Sequence, residues 1–173
     1  IKNILKKKGK ESITCLTAYS KPMAEIIDKY CDIILVGDSV GMVLYGMKTT
    51  RGVSVDTMIL HGKAVKRSSK RSLVVIDMPH NTYRNSKEAL KNAKKIISNT
   101  KCDAVKLEGG KKIYKIVKFL TKNNIAVMGH LGLLPQTDKT FKFKGKKISE
   151  RNKILKDAEL LQSAGAFSIV LEC

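Results

Sequence analysis

Six short, almost continuously apolar runs recur along the chain, each separated from the next by a stretch with helical periodicity. They cover residues 13–19, 33–39, 73–79, 104–108, 126–131 and 167–172. A run this short, with little polar alternation, marks a strand covered on both faces, as in a parallel sheet between helices. The intervening segments supply those helices. Met23, Ile26, Ile27 and Tyr30 fall on one helical face, and Val55, Met58, Ile59 and Gly62 on another, with Ser54 placed to cap it. Asn85 and Glu88 have the spacing of a capping box ahead of Ala89, Leu90, Ala93, Ile96 and Ile97. Ile113, Ile116, Val117 and Leu120 form the next stripe. Ile154, Leu155, Ala158 and Leu161 form the last, closed by Ala164 and Gly165. Residues 138–149 are polar and Lys-rich and read as a long connection. Repeated β-α units predict an α/β fold with a parallel sheet, either open and doubly wound or most of a (β/α)₈ barrel. No composition break divides the 173 residues, so a single domain over 1–173 is expected. No apolar run approaches the ~20 residues of a membrane span.

The chain carries 34 Lys and Arg against 15 Asp and Glu, a formal charge of +19. Such an excess first suggests nucleic acid, because Lys and Arg neutralise phosphates. The make-up of the charge argues against it. There are 29 Lys and only 5 Arg, and Arg supplies the planar fork used in base recognition. Trp is absent and aromatics are 5%, which leaves little stacking platform for single strands. The lysines spread along the polar sides of the helices and read as a solvated surface. A Lys-rich nucleic-acid-binding module is the alternative from outside the enzymes. The densest cluster, Lys142-Phe-Lys144-Gly-Lys146-Lys147, reads as an exposed loop. Four cysteines, at 15, 31, 102 and 173, include no C-x-x-C pair. Neither a zinc knuckle nor a disulfide framework is suggested, and a reducing cytoplasm fits.

In parallel α/β folds the working residues sit at the C-terminal ends of the strands. The second run ends in Gly37-Asp38-Ser39, the third in Asp77-Met-Pro79, the fourth in Lys106-Leu-Glu108-Gly-Gly110, the fifth in Gly129-His130 and the sixth in Glu172-Cys173. Four of the 15 carboxylates, Asp38, Asp77, Glu108 and Glu172, thus lie at one level on four strands. Carboxylates in apolar runs are costly unless paired or metal-bound, so one shared site is expected. A closed barrel brings such ends around one mouth and is favoured over an open sheet. Lys106 and Glu108, two residues apart, would face the interior, with Val105 and Leu107 toward the helices. Several carboxylates without Cys or His pairs suit a hard cation such as Mg²⁺, with Asp38 and Asp77 as ligands from adjacent strands. Taken singly, each Asp could instead cap the following helix. His130 reads equally as a structural histidine or a substrate contact. His61 belongs to helix packing or surface, and His80 could approach the site. Gly109-Gly110 reads as a tight turn or an anion site at a helix N-terminus. The segment Gly41-x₄-Gly46-Met47-Lys48-Thr49 misses the phosphate-loop pattern by one residue and is rejected.

Six ordered motifs carry a family resemblance over nearly the whole chain. They are Leu16-Thr-Ala-Tyr19, Ile34-Leu-Val-Gly-Asp-Ser-Val-Gly-Met42, Asp77-Met-Pro79, Ala104-Val-Lys-Leu-Glu-Gly-Gly110, Met128-Gly-His-Leu-Gly-Leu-Leu-Pro-Gln136 and Ala164-Gly-Ala-Phe-Ser-Ile-Val-Leu-Glu-Cys173. Together they resemble the ketopantoate hydroxymethyltransferase family. The resemblance implies a (β/α)₈ TIM barrel of the phosphoenolpyruvate/pyruvate superfamily and a step of pantothenate biosynthesis. It implies Mg²⁺, 5,10-methylenetetrahydrofolate as one-carbon donor, a small 2-keto acid as acceptor, and a homo-oligomer, typically a decamer. By the matching motifs, Asp38, Asp77 and Glu108 would serve the metal. Ser39, Lys106 and His130 would contact the keto acid together with Asp38 and Asp77, and Glu172 would be the catalytic acid/base. His80-Asn81-Thr82-Tyr83 departs from the family's usual apolar-small-Ser-Tyr stretch. The family continues past Glu172-Cys173 through further strands, so about six strands of a C-terminally incomplete barrel are expected here.

The residue types suggest a mechanism. A 2-keto acid chelates Mg²⁺, which stabilises an enolate while a base removes the C3 proton. Glu172, expected as a partly buried carboxylate with a raised pKa, is the chosen base. Lys106 offers a cation to the substrate, and His130 could orient the same group. A related Mg²⁺-enolate lyase or aldolase would use the same acids without folate.

Overall fold

The computed structural model describes residues 1–138 and 140–172. Lys139, in the polar connection, and Cys173, the fourth cysteine and last motif residue, lie outside the described residues. Six strands form: β1 (Cys15–Thr17), β2 (Ile33–Val36), β3 (Leu73–Asp77), β4 (Ala104–Glu108), β5 (Val127–Gly132) and β6 (Ser168–Glu172). The helices are α1 (Lys2–Lys7), α2 (Lys21–Ile27), α3 (Val40–Val43), α4 (Val55–Ser68), α5 (Ser86–Thr100), α6 (Tyr114–Lys122) and α7 (Ile148–Ser163). All strand pairs are parallel, and the order across the sheet is the chain order, β1 to β6. A doubly wound sheet reverses direction part-way across. This one never does, so it winds as a (β/α) barrel winds. Among the described residues β1 and β6 each pair on one side only. For β1 this corrects the expectation of cover on both faces: it spans three residues, all exposed.

The alternation along each strand sorts the core. Ile34, Val36, Val74, Ile76, Val105, Leu107 and Val127 pack outward against the helices. Ile33, Leu73, Val75, Ala104 and Met128 face inward, where Ile4 of α1 joins them. This inward set is apolar near the strand starts. The same parity then places Asp77, Lys106, Glu108 and His130 at the strand ends, in register as Asp77 beside Lys106 and Glu108 beside His130.

The caps form largely as expected. Ser54 Oγ accepts from Thr57 N at 3.0 Å, and Asn85 Oδ1 accepts from Glu88 N at 2.9 Å. The Glu88 carboxylate reaches back to Arg84 N rather than Asn85 N, one residue short of a full capping box. Gly62 lets α4 lie close on the sheet, since a Cβ there would meet Ile76 Cδ1 at 2.4 Å. Two apolar stripes differ from expectation. In α2, Ala24 is the buried residue, while Met23, Ile26 and Tyr30 are exposed; the helix stops at Ile27, which leaves Tyr30 outside it. In α7, Leu155 is exposed because Ile154, Ala158 and Leu161 take the core side. No described helix is long and apolar enough to cross a membrane. Cys15, Cys31 and Cys102 are free thiols.

Candidate active site

Asp38, Asp77, Lys106, Glu108 and His130 are brought together at the C-terminal ends of β2 to β5, all at least nine-tenths buried. Asp38 N donates to Asp77 Oδ2 at 3.1 Å, joining the two acids across adjacent strands. Lys106 Nζ lies 3.1 Å from Asp77 Oδ1 and 3.1 Å from His130 Nδ1. A protonated Lys only donates, so His130 Nδ1 accepts and the ring proton sits on Nε2. That nitrogen lies 3.3 Å from Glu172 Oε2, and Nδ1 is 3.4 Å from Glu108 Oε1. Two of the four buried polar side-chain atoms that have no hydrogen-bond partner among the described residues lie in this cluster: Asp77 Oδ1, whose contact with Lys106 lacks hydrogen-bonding geometry, and His130 Nε2. Such atoms are expensive to bury alone and mark where a ligand can be received.

The electrostatics follow from burial and crowding. Burial, then the neighbouring Asp77, pushes the Asp38 carboxyl up to about 8. Burial likewise raises Asp77, against the pull of Lys106. Burial would lower Lys106, but Asp77, Glu108 and Asp38 outweigh it and hold the ammonium charged. Burial, then Glu108, raises the Tyr83 phenol, which stays an O–H donor.

Gln136 and Tyr83 belong to the cluster and were not singled out by residue type. Gln136 Nε2 donates to Asp38 Oδ2 at 2.7 Å, and Tyr83 O–H donates to Gln136 Oε1 at 2.5 Å. The Pro-Gln end of the fifth motif was the available signal. Beside the cluster opens a cavity of about 850 Å³, walled by His80, Tyr83, Glu108, Lys111, Ile113 and Leu131, within the usual size of ligand pockets.

Other expected residues fall differently. Ser39 is half-buried, and its Oγ bonds Tyr19 O–H at 2.8 Å. His61 is a packing residue, with Nδ1 at 2.6 Å from Tyr19 O and Nε2 at 2.6 Å from Tyr45 O–H. Gly110 is a close-approach turn, because the Asp157 carboxylate lies where its Cβ would stand and accepts from Lys111 N at 2.9 Å. A protein carboxylate thus takes the place considered for an anion. Glu172, expected as a partly buried carboxylate, has a side chain 44% exposed, and among the described residues its strand β6 pairs with β5.

The family model described as ketopantoate hydroxymethyltransferase matches residues 1–173. The chain belongs to the ketopantoate hydroxymethyltransferase family. It is 64% identical over 173 residues to the 3-methyl-2-oxobutanoate hydroxymethyltransferase of Pelagibacter ubique (strain HTCC1062), covering all of this chain and 67% of that protein. It is 52% identical over 169 residues to the enzyme of the same name from Rhizobium etli, covering 95% of this chain and 62% of that one. The chain thus spans about two thirds of the length of the curated relatives it matches. Among solved structures it resembles phosphonopyruvate hydrolase in complex with oxalate and Mg²⁺, with a TM-score of 0.74 at 11% identity over 99% of this chain and 62% of that one. It also resembles 2,3-dimethylmalate lyase, a PEP mutase/isocitrate lyase superfamily member, with a TM-score of 0.67 at 12% identity over 99% and 61%. These likenesses establish the fold.

The charges of the cluster bear on whether it suits a divalent cation. One ammonium, Lys106, faces three carboxylates, Asp38, Asp77 and Glu108, so ionised acids leave an excess of negative charge. Mg²⁺ commonly uses one or two carboxylates and leaves its other positions to water and substrate. Asp38 and Asp77, with one Asp77 oxygen lacking a hydrogen-bond partner, fit that pattern. The three-ligand set expected of Asp38, Asp77 and Glu108 is not assembled. Among the described residues no three His, Cys, Asp or Glu are grouped closely enough for one ion. Glu108 Oε2 is instead held by Gln136 N at 3.1 Å.

Proposed function

We propose that the protein containing this chain transfers a hydroxymethyl group from 5,10-methylenetetrahydrofolate to 3-methyl-2-oxobutanoate, forming ketopantoate for pantothenate biosynthesis. The observation that carries this reading is the buried Asp38–Asp77 pair beside Lys106, set at the strand ends of a chain in this family. Asp38 and Asp77 would hold Mg²⁺, with Glu108 beside them. The phosphonopyruvate hydrolase neighbour binds oxalate and Mg²⁺, and a 2-keto acid offers the same chelating pair of oxygens. When bound, the cation supplies a Lewis acid for the keto oxygen as negative charge develops there.

The chain's own residues account for the remaining work. Lys106, held charged, meets the substrate carboxylate or the developing enolate. His130 Nε2–H, buried without a hydrogen-bond partner, orients the same group. Ser39 beside Asp38 contacts the keto acid. Glu172, exposed at the mouth and 3.3 Å from His130 Nε2, takes the C3 proton. C3 forms a bond to the methylene carbon carried by folate, whose two carbon–nitrogen bonds break; water supplies the hydroxyl oxygen, and its remaining proton and the C3 proton held by Glu172 pass to the released tetrahydrofolate nitrogens. A homo-oligomer is part of the proposal, supported by exposed apolar side chains at Ile26, Tyr30, Val43, Leu44 and Leu60. A cytoplasmic setting is supported by the free thiols.

Exchange of the C3 proton of 3-methyl-2-oxobutanoate in D₂O tests the site without folate. Asp38→Ala and Asp77→Ala should each abolish Mg²⁺-dependent exchange in the protein expressed from its complete reading frame. Normal exchange in both variants would refute the metal assignment.

A further inference from the structure

We infer that Gln136 is a positioning residue that fixes the Asp38 carboxylate for the cation, an inference resting on the cation reading proposed above. Gln136 lies in the loop after β5, yet its side chain is 1% exposed. Its partners come from four other parts of the chain. Nε2 donates to Asp38 Oδ2 at 2.7 Å and to Met78 O at 2.9 Å. Oε1 accepts from Tyr83 O–H at 2.5 Å. Its backbone N donates to Glu108 Oε2 at 3.1 Å, and its backbone O accepts from Arg51 Nε at 2.9 Å.

The partners decide which way the amide points. The Met78 carbonyl only accepts, and the Tyr83 hydroxyl, kept protonated, donates. The nitrogen must therefore face Asp38 and Met78, and the oxygen must face Tyr83. Both amide protons are used. One oxygen of Asp38 is thereby pinned, while Asp38 Oδ1 has no hydrogen bond among the described residues. A carboxylate with one oxygen fixed and the other open is pre-oriented for a ligand. The same residue also draws Glu108 toward its own backbone N–H. This accounts for Glu108 lying beside the Asp38–Asp77 pair rather than in one ligand group with it. Outer partners of this kind typically change metal affinity by about 10–100-fold when removed.

The test is Mn²⁺ binding followed by electron paramagnetic resonance, with thermal unfolding of the same samples, on the protein from its complete reading frame. Gln136→Met keeps the side-chain volume and removes the amide. It should raise the Mn²⁺ Kd at least tenfold while the protein stays folded at the assay temperature. Tyr83→Phe removes only the hydroxyl that orients the amide and should raise Kd at least threefold; it carries the test if Gln136→Met does not fold. A lowered unfolding midpoint with Kd within twofold of wild type would make Gln136 purely structural and overturn the inference. Asp38→Asn separates the two layers. If it weakens Mn²⁺ binding while Gln136→Met and Tyr83→Phe do not, the Gln136 assignment fails and the cation reading stands. If wild type binds no Mn²⁺, or Asp38→Asn leaves Kd unchanged, both fail together.

Discussion

Asp38 shows how a single residue sets a condition on the whole fold. In water a carboxyl of this type loses its proton near 3.8, whereas burial and Asp77 hold the folded group up to about 8. Between those values the folded chain binds more protons than the unfolded one, so stability falls as pH rises. The carboxyls held low by partners, Asp28, Asp32 and Glu88, act in the opposite sense, but their contribution is already complete above their unfolded values. In metal-free protein kept in chelator, the thermal midpoint should therefore decline between about pH 5 and pH 8. Asp38→Asn, which cannot ionise, should flatten that decline. A wild-type midpoint that rises across the same interval would show that burial does not govern Asp38.

Elements are joined by similar polar clips, and Asp28 is the clearest. It caps α2 and accepts from Lys70 N at 2.9 Å, Arg71 N at 3.1 Å and Ser72 N at 2.9 Å, immediately before β3. Burial would raise this carboxyl; the N–H donors of Ser72, Lys70 and Arg71 outweigh it and hold it low. Asp28→Ala leaves those donors unpaired and should cost about 2–3 kcal/mol near pH 7. A group held low contributes fully above its unfolded value and loses that contribution as pH falls through its folded one. The gap between wild type and variant in denaturant midpoints should accordingly narrow as pH falls below the ordinary carboxylate value of 3.8. Clips such as this one were not legible in the sequence, since Asp28 and Ser72 stand 44 residues apart. The central strands were legible because an apolar run states its own boundaries: the expected 104–108 is β4 unchanged. The short α2 was misjudged because its apolar residues outnumber the places on its buried side. Within the site, Asp77, Lys106, Glu108 and His130 could be read from inward parity at strand ends. Gln136 could not, because it arrives on a loop and meets Asp38 across 98 residues.

At the scale of the molecule, a chain of charge +19 encloses an acidic mouth. Its lysines lie mostly on helices and loops, while the strand ends bury one Lys among three carboxylates. That distribution separates a positive outer surface from an acidic, buried cluster at the strand ends. The consecutive strand order supports the same view, because it gathers four strand ends around one place rather than along a line. Solved structures with this fold include a lyase and a hydrolase, so the fold leaves the reaction open and family membership narrows it. The most direct test supplies the protein with Mg²⁺, 3-methyl-2-oxobutanoate and ¹³C-methylene-labelled tetrahydrofolate, and follows the label by NMR. The account predicts that the label appears in the hydroxymethyl carbon of ketopantoate, and that Asp77→Asn abolishes the transfer. Carbon–carbon cleavage of substrate without folate, or label transfer undiminished in Asp77→Asn, would contradict it.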